Sequence, residues 1–221
     1  MRRDIEKNVE IQRQKNTDYT PMTEKDYFKY NGENQFSVLD VWRYAHCLLE
    51  NDVIAEYLVA KSLNIIKAEN ITYWTAYDMS YKNKRIEVKS TAYVHAWNTS
   101  SVSEVRTFSI EPSKNIYWDN SELVNNDGTE ASRQSDIYVF CLNADKDIKN
   151  HDPFNLNNWE FYVVPTYKIN SYAETKGNPN QKKISLNVIR ELLADKVQYD
   201  GLFDAIEACV IEVDNYYNNE N

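Results

Sequence analysis

Between positions 78 and 89 the chain reads Asp-Met-Ser-Tyr-Lys-Asn-Lys-Arg-Ile-Glu-Val-Lys: one acid first, then an acid and a lysine two apart. If Lys82-Asn83-Lys84 turns the chain between two paired strands, Asp78 comes close to Glu87, and Glu87 shares a face with Lys89. Two carboxylates at that separation repel each other, and a cation between them keeps both ionised. Hard oxygen donors with an open position suit Mg²⁺ or Mn²⁺. Lys89 can then hold, and help deprotonate, a water aimed at a phosphorus, while the metal neutralises charge on the phosphoryl oxygens. An acid-x-lysine alone more often marks a wet strand face than a site. Three features together carry the reading: Asp78 at hairpin distance, strict alternation along the second strand, and Glu56 on a helix just upstream.

Those side chains need a hairpin and a helix to hold them. A strand is expected over about 76–81, and from Arg85 to Trp97 the residues separate by parity. Ile86, Val88, Ser90, Ala92, Val94 and Ala96 are small or apolar, whereas Glu87, Lys89, Thr91, Tyr93, His95 and Trp97 are polar or large. One face should pack and the other should work or be wet. Upstream, Asn51 or Asp52 can cap a helix whose apolar positions Val53, Ile54, Tyr57, Leu58, Ala60 and Leu63 recur at three and four, with Glu56 on it. Before that, Ser37 with Asp40 resembles a capping box opening a first helix through Val38, Val41, Trp42, Ala45, Leu48 and Leu49.

The rest of the chain completes an α/β pattern with a mixed central sheet flanked by helices. A third strand is expected over about 104–110, then a long polar loop from Glu111 to Arg133. Ile137–Leu142 and Trp159–Val164 read as interior strands, and Pro165 stops the second. Ser185 can cap a helix carrying Leu186, Ile189, Leu192 and Leu193, and Leu202–Ile211 forms another. The expected organisation is an extension over 1–35 with one short helix, a domain over 36–195, and an acidic helix and tail over 196–221.

Composition narrows the function classes. The 221 residues carry four glycines, at 32, 128, 177 and 201, too scattered for a dinucleotide fingerprint, a P-loop or a nucleophile elbow. Cys47, Cys141 and Cys209 form neither a disulfide framework nor a zinc motif, and the three histidines, His46, His95 and His151, are dispersed. With no leader-like or membrane-length apolar run, a cytoplasmic protein is expected. The net charge of −9 argues against a polyanion partner, but residues 191–221 hold eight acids against Lys196, so the other 190 residues sum to −2. Lys82, Lys84 and Arg85 form a local basic stretch ahead of Lys89, and Arg133 and Asp136 stand where they could reach the same sheet.

The helix acid, the hairpin acid and the Glu-x-Lys strand resemble the PD-(D/E)XK nuclease superfamily, with its restriction-endonuclease-like fold, and in particular bacterial members of it. The match runs from about Asp52 to Val94, with Ala55-Glu56-Tyr57-Leu58 in the position of the family's first core helix. Tyr77 stands where the name-giving proline would precede Asp78, and 111–133 shows no good amphipathic helix. The resemblance implies that Asp78, Glu87 and the carbonyl of Val88 ligate Mg²⁺ or Mn²⁺. It implies that Glu56 orients a metal-bound water or a second metal, and that Lys89 positions the nucleophile. Its implied reaction is phosphodiester hydrolysis in nucleic acid, DNA before RNA, with a homodimer as an expected assembly. Lys82, Lys84, Arg85, Tyr93, His95 and Trp97 are the expected nucleic-acid contacts.

Two rivals keep the same fold. One is a catalytically inactive nucleic-acid- or protein-binding module, motivated by the acidic charge. The other is a metal-dependent phosphoesterase acting on small nucleotides.

Overall fold

The computed structural model describes residues 26–37, 39–40, 51–65, 77–94, 102, 106–113, 117–119, 122–124 and 131–219. The chain divides into two compact units, residues 1–49 with 66–74, and residues 50–65 with 75–221.

In the first unit, β1 (Tyr27–Tyr30) and β2 (Glu33–Ser37) form an antiparallel hairpin. Its turn is Asn31-Gly32, with φ of 50° and 82°, the paired positive values that a two-residue turn matching strand twist requires. The extension expected over 1–35 is a hairpin over these residues, marked by the Asn-Gly pair, while residues 1–25, where its short helix could fall, lie outside the described residues. The capping box is present: the Ser37 amide and hydroxyl donate to Asp40 Oδ2 at 3.0 and 2.8 Å, and the Asp40 amide donates back to Ser37 Oγ at 3.2 Å. The body of that helix lies outside the described residues.

The second unit contains, in chain order, α1 (Asn51–Ser62), β3 (Met79–Tyr81), β4 (Lys84–Ala92), β5 (Thr107–Ser109), β6 (Tyr117–Asp119), β7 (Glu122–Val124), β8 (Ile137–Asn143), β9 (Trp159–Pro165), α2 (Thr166–Thr175), β10 (Lys183–Ser185), α3 (Leu186–Val188) running into a π-helical turn (Ile189–Leu193), and α4 (Leu202–Asn219). Its main sheet has the order β3-β4-β8-β9, antiparallel at both edges and parallel between β4 and β8. The fold is α/β, a mixed sheet flanked by helices.

Both faces of this sheet are packed. Every residue of β8 is buried, as its unbroken apolar run requires of an interior strand. α1 lies on the Ile86, Val88 and Ser90 face, burying Ile54, Ala55, Leu58 and Val59. α4 runs along β9 and α1 and buries Leu202, Ile206, Cys209, Val210 and Val213. The opposite face, which carries Glu87 and Lys89, passes into an apolar cluster that includes Phe108, Tyr138, Phe140, Leu142, Tyr162 and Ile184. The face expected to be wet is thus covered over part of its length.

What covers it comes from two remote segments. β5 does not join the main sheet as the third strand expected; it pairs with β10, Phe108 opposite Ile184, more than 70 residues away in the chain. α2 begins directly after Pro165 and buries only Thr166, Ile169 and Ala173, an apolar signal too thin for periodicity to announce. Pro165 ends β9 and Ser185 caps α3 through its hydroxyl, both as expected, whereas Leu192 points outward.

Candidate functional site

The chemistry-bearing hairpin forms as its spacing demands. β3 and β4 pair Met79 with Ile86 and Tyr81 with Lys84 across a two-residue turn, Lys82-Asn83, at φ 47° and 61°. That register continues to bring Asp78 beside Glu87. The Asp78 amide still donates to the Ile86 carbonyl at 3.0 Å, but its carboxylate Oδ2 accepts the Val88 amide at 2.6 Å. A side chain therefore takes over the pairing of β4 just where β3 begins. The N–H and C=O of one extended residue leave on the same side, so the Val88 carbonyl also faces this edge.

Glu87 and Lys89, two apart on one face, form an ion pair through Glu87 Oε1 and Lys89 Nζ, with side chains 16% and 31% exposed. The parallel register sets Glu87 beside Tyr138 and Lys89 beside Phe140, so the pair has an apolar floor. Burial raises the Glu87 carboxyl above its ordinary value, and the charge of Asp78 adds to this while Lys89 opposes it. Asp78 is likewise raised by burial, against the pull of Lys89 and of the Val88 amide. Burial works against the charge on Lys89, yet Glu87 and Asp78 together hold the amine above its usual value. Lys89 is therefore held as an ammonium, a donor and a positive charge beside both carboxylates.

Glu56 arrives from α1, where it stands four residues after Asp52, both at the border of the buried stripe formed by Ala55 and Val59. Much of Glu56 remains at the surface, but its carboxyl is pushed up to about 7, by desolvation first, then by Asp78 and Asp52, with Lys89 opposing. The four residues singled out in the sequence are thus brought into one electrostatic neighbourhood. Two more belong to it that sequence reasoning missed: Asp52, which raises both Glu56 and Asp78, and Ser90, whose hydroxyl donates to Asp52 Oδ1. The sequence offered Asp52 only as a candidate helix cap, and the structure places it in the first turn of α1, where an acid is ordinary.

Of the expected nucleic-acid contacts, Lys82, Lys84, Arg85 and Tyr93 each have a partner within the chain. Lys82 pairs with Glu207 and Lys84 with Asp214, both acids on α4. The Arg85 guanidinium grips Asp136 at 2.9 and 3.1 Å, and Asp136 also accepts the Arg85 amide at 2.8 Å. Asp136 is thereby a structural partner of the hairpin, and Arg133 is a clamp, donating to the Ile110 and Gln181 carbonyls and to Asn170. Tyr93 packs beside the apolar cluster, with Arg106 and Lys146 over its ring at 4.3 and 4.5 Å. His95 and Trp97 lie outside the described residues.

The donor set at the hairpin is all hard oxygen, and its carboxyls are raised by burial first, with Asp78 adding to Glu87 and Asp52 adding to Asp78, which is the condition a divalent cation relieves. Among the described residues no three such side chains yet converge as a finished cage: Glu87 is held by Lys89 and Asp78 by the Val88 amide. The residues fit Mg²⁺ or Mn²⁺ in type and charge. No helix among the described residues is long and apolar enough to cross a membrane.

Comparison with known proteins adds no relative: no family model, no curated protein and no solved structure matches the chain.

Proposed function

We propose that this protein is a metal-dependent nuclease of the PD-(D/E)XK kind, hydrolysing phosphodiester bonds in nucleic acid, DNA in the first instance. The observation that carries the reading is the hairpin itself: Asp78 beside Glu87, Lys89 bound to Glu87, and Glu56 within electrostatic reach from α1.

Asp78, Glu87 and the Val88 carbonyl are the groups that would hold Mg²⁺ or Mn²⁺, which supplies Lewis-acid stabilisation of phosphoryl charge when bound. The chain's own residues do the rest. Lys89, a fixed cation two residues along the strand from Glu87, donates to the attacking water and to charge developing on the phosphate. Glu56 orients that water from the helix side and takes the proton it loses as the new P–O bond forms, while the bond to the leaving oxygen breaks and that oxygen is protonated from solvent. The apolar floor of Tyr138 and Phe140 keeps bulk water from beneath the pair, which strengthens each of these interactions.

One observation favours the inactive binding module as a second reading. The hairpin lysines that would meet a polyanion are already neutralised by α4. Calorimetric titration of Mn²⁺ into wild type and Glu87→Ala, with the same samples assayed on plasmid, single-stranded DNA and mononucleotides, separates the readings. Binding lost in the variant together with polymer cleavage by wild type supports the nuclease. Mononucleotide turnover alone supports the small-substrate phosphoesterase, and wild type without binding or cleavage supports the module.

A further inference from the structure

α1 meets the Lys89 strand at a polar contact, with Asp52 Oδ1 accepting from the hydroxyl of Ser90, the residue directly after Lys89. Ser90 points to the α1 face of the sheet while its neighbour Lys89 points to the other, so this bond pins the helix to the strand at the level of the ion pair. Asp52 and Glu56 lie one helical turn apart on one border of α1, so the position of Asp52 sets that of Glu56. The contact is exposed at its rim and contributes no apolar burial, which makes it a poor candidate for a purely stabilising role.

Resting on the nuclease reading, we infer that Asp52 is a positioning residue: its hydrogen bond to Ser90 holds α1 in the register that presents Glu56 to Asp78 and Lys89. Asp52 does so as an acceptor and does not touch the reacting atoms. Without this bond Ile54, Ala55, Leu58 and Val59 still dock α1, but its first turn can shift, and a misplacement of about an ångström at Glu56 costs up to about a hundred-fold in rate.

The test compares Asp52→Ala, Asp52→Asn and Ser90→Ala in the full chain, with Mn²⁺ and plasmid DNA. Asp52→Ala and Ser90→Ala should each lower kcat roughly ten-fold with KM unchanged, because alignment and not affinity is lost. Asp52→Asn, which keeps an oxygen for the Ser90 hydroxyl, should recover most of that activity. Loss in Asp52→Asn as deep as in Asp52→Ala overturns the inference, since charge and not the hydrogen bond would then be what matters. Wild-type activity in Ser90→Ala overturns it as well, and that variant decides the matter should Asp52→Ala fail to fold. In both cases a cleaving wild type leaves the nuclease reading standing, whereas a wild type that neither binds Mn²⁺ nor cleaves overturns the two together.

Discussion

Glu56 offers the sharpest test of the site's electrostatics, in the protein stripped of metal. Its carboxyl is raised from an ordinary 4.5 to about 7, so the folded chain holds that proton more tightly than the unfolded chain does. Stability owed to this group is fully present below pH 4.5 and is lost as pH rises through about 7. At 1.36 kcal/mol per unit the full shift corresponds to about 3 kcal/mol. The side chain is open to solvent on one side, and screening there reduces the expected value to about 1 kcal/mol. Glu56→Gln keeps the shape and deletes the charge, so the variant should match wild type near pH 4.5 and exceed it above pH 7. For a chain of this size that is a gain in Tm of about 2–4 °C at pH 8. Scanning calorimetry between pH 4.5 and 8.5 in chelator reads the difference, which includes the relief that Asp78, Asp52 and Glu87 gain when the Glu56 charge is removed. A difference that does not grow with pH would refute the burial of Glu56 together with its crowding by Asp78 and Asp52. Saturating Mn²⁺ should shrink the difference, since a cation relieves the same repulsion.

Other consequences are readable separately. Glu87→Ala should abolish Mn²⁺ binding by calorimetry and leave the fold intact by circular dichroism, because removing a raised carboxylate lessens repulsion in the empty site. Lys89→Ala should bind Mn²⁺ as well as wild type and turn over at least a hundred-fold more slowly on plasmid DNA; unchanged turnover would remove Lys89 from the mechanism. Glu207→Gln with Asp214→Asn should free Lys82 and Lys84, raising affinity for labelled DNA in low-salt anisotropy several-fold if the hairpin meets phosphate, with little change in Tm. Ile206→Ala, a fully buried side chain of α4, should cost about 2–5 kcal/mol in urea unfolding. Ile211→Ala on the exposed side of the same helix should stay within about 0.5 kcal/mol.

The Ile206 contrast bears on why α4 is part of the domain. The sequence marks it as an acidic helix without a stated role; one face buries five apolar residues, and Glu207 and Asp214 meet lysines about 125 residues earlier. Helical periodicity announced the apolar stripe; which surface it would cover, and whose charges it would neutralise, depended on the sheet's order.

What the sequence determined by itself is local. The hairpin over 79–92, the parity that puts Glu87 with Lys89, the caps at Ser37 and Ser185, and the end of β9 at Pro165 follow from turn chemistry, a two-residue period and missing or competing hydrogen-bond donors, all acting within a few residues. Asn31-Gly32 belongs with them, since its positive φ values are set within the turn itself. Only the tertiary structure decided that β5 pairs with β10, that the Glu87 face rests on Tyr138 and Phe140, and that Asp52 meets Ser90. These are contacts between segments tens of residues apart, where many pairings satisfy the same local patterns. The choice among them is made by the burial of one shared core, a property of the whole chain that no window of it contains.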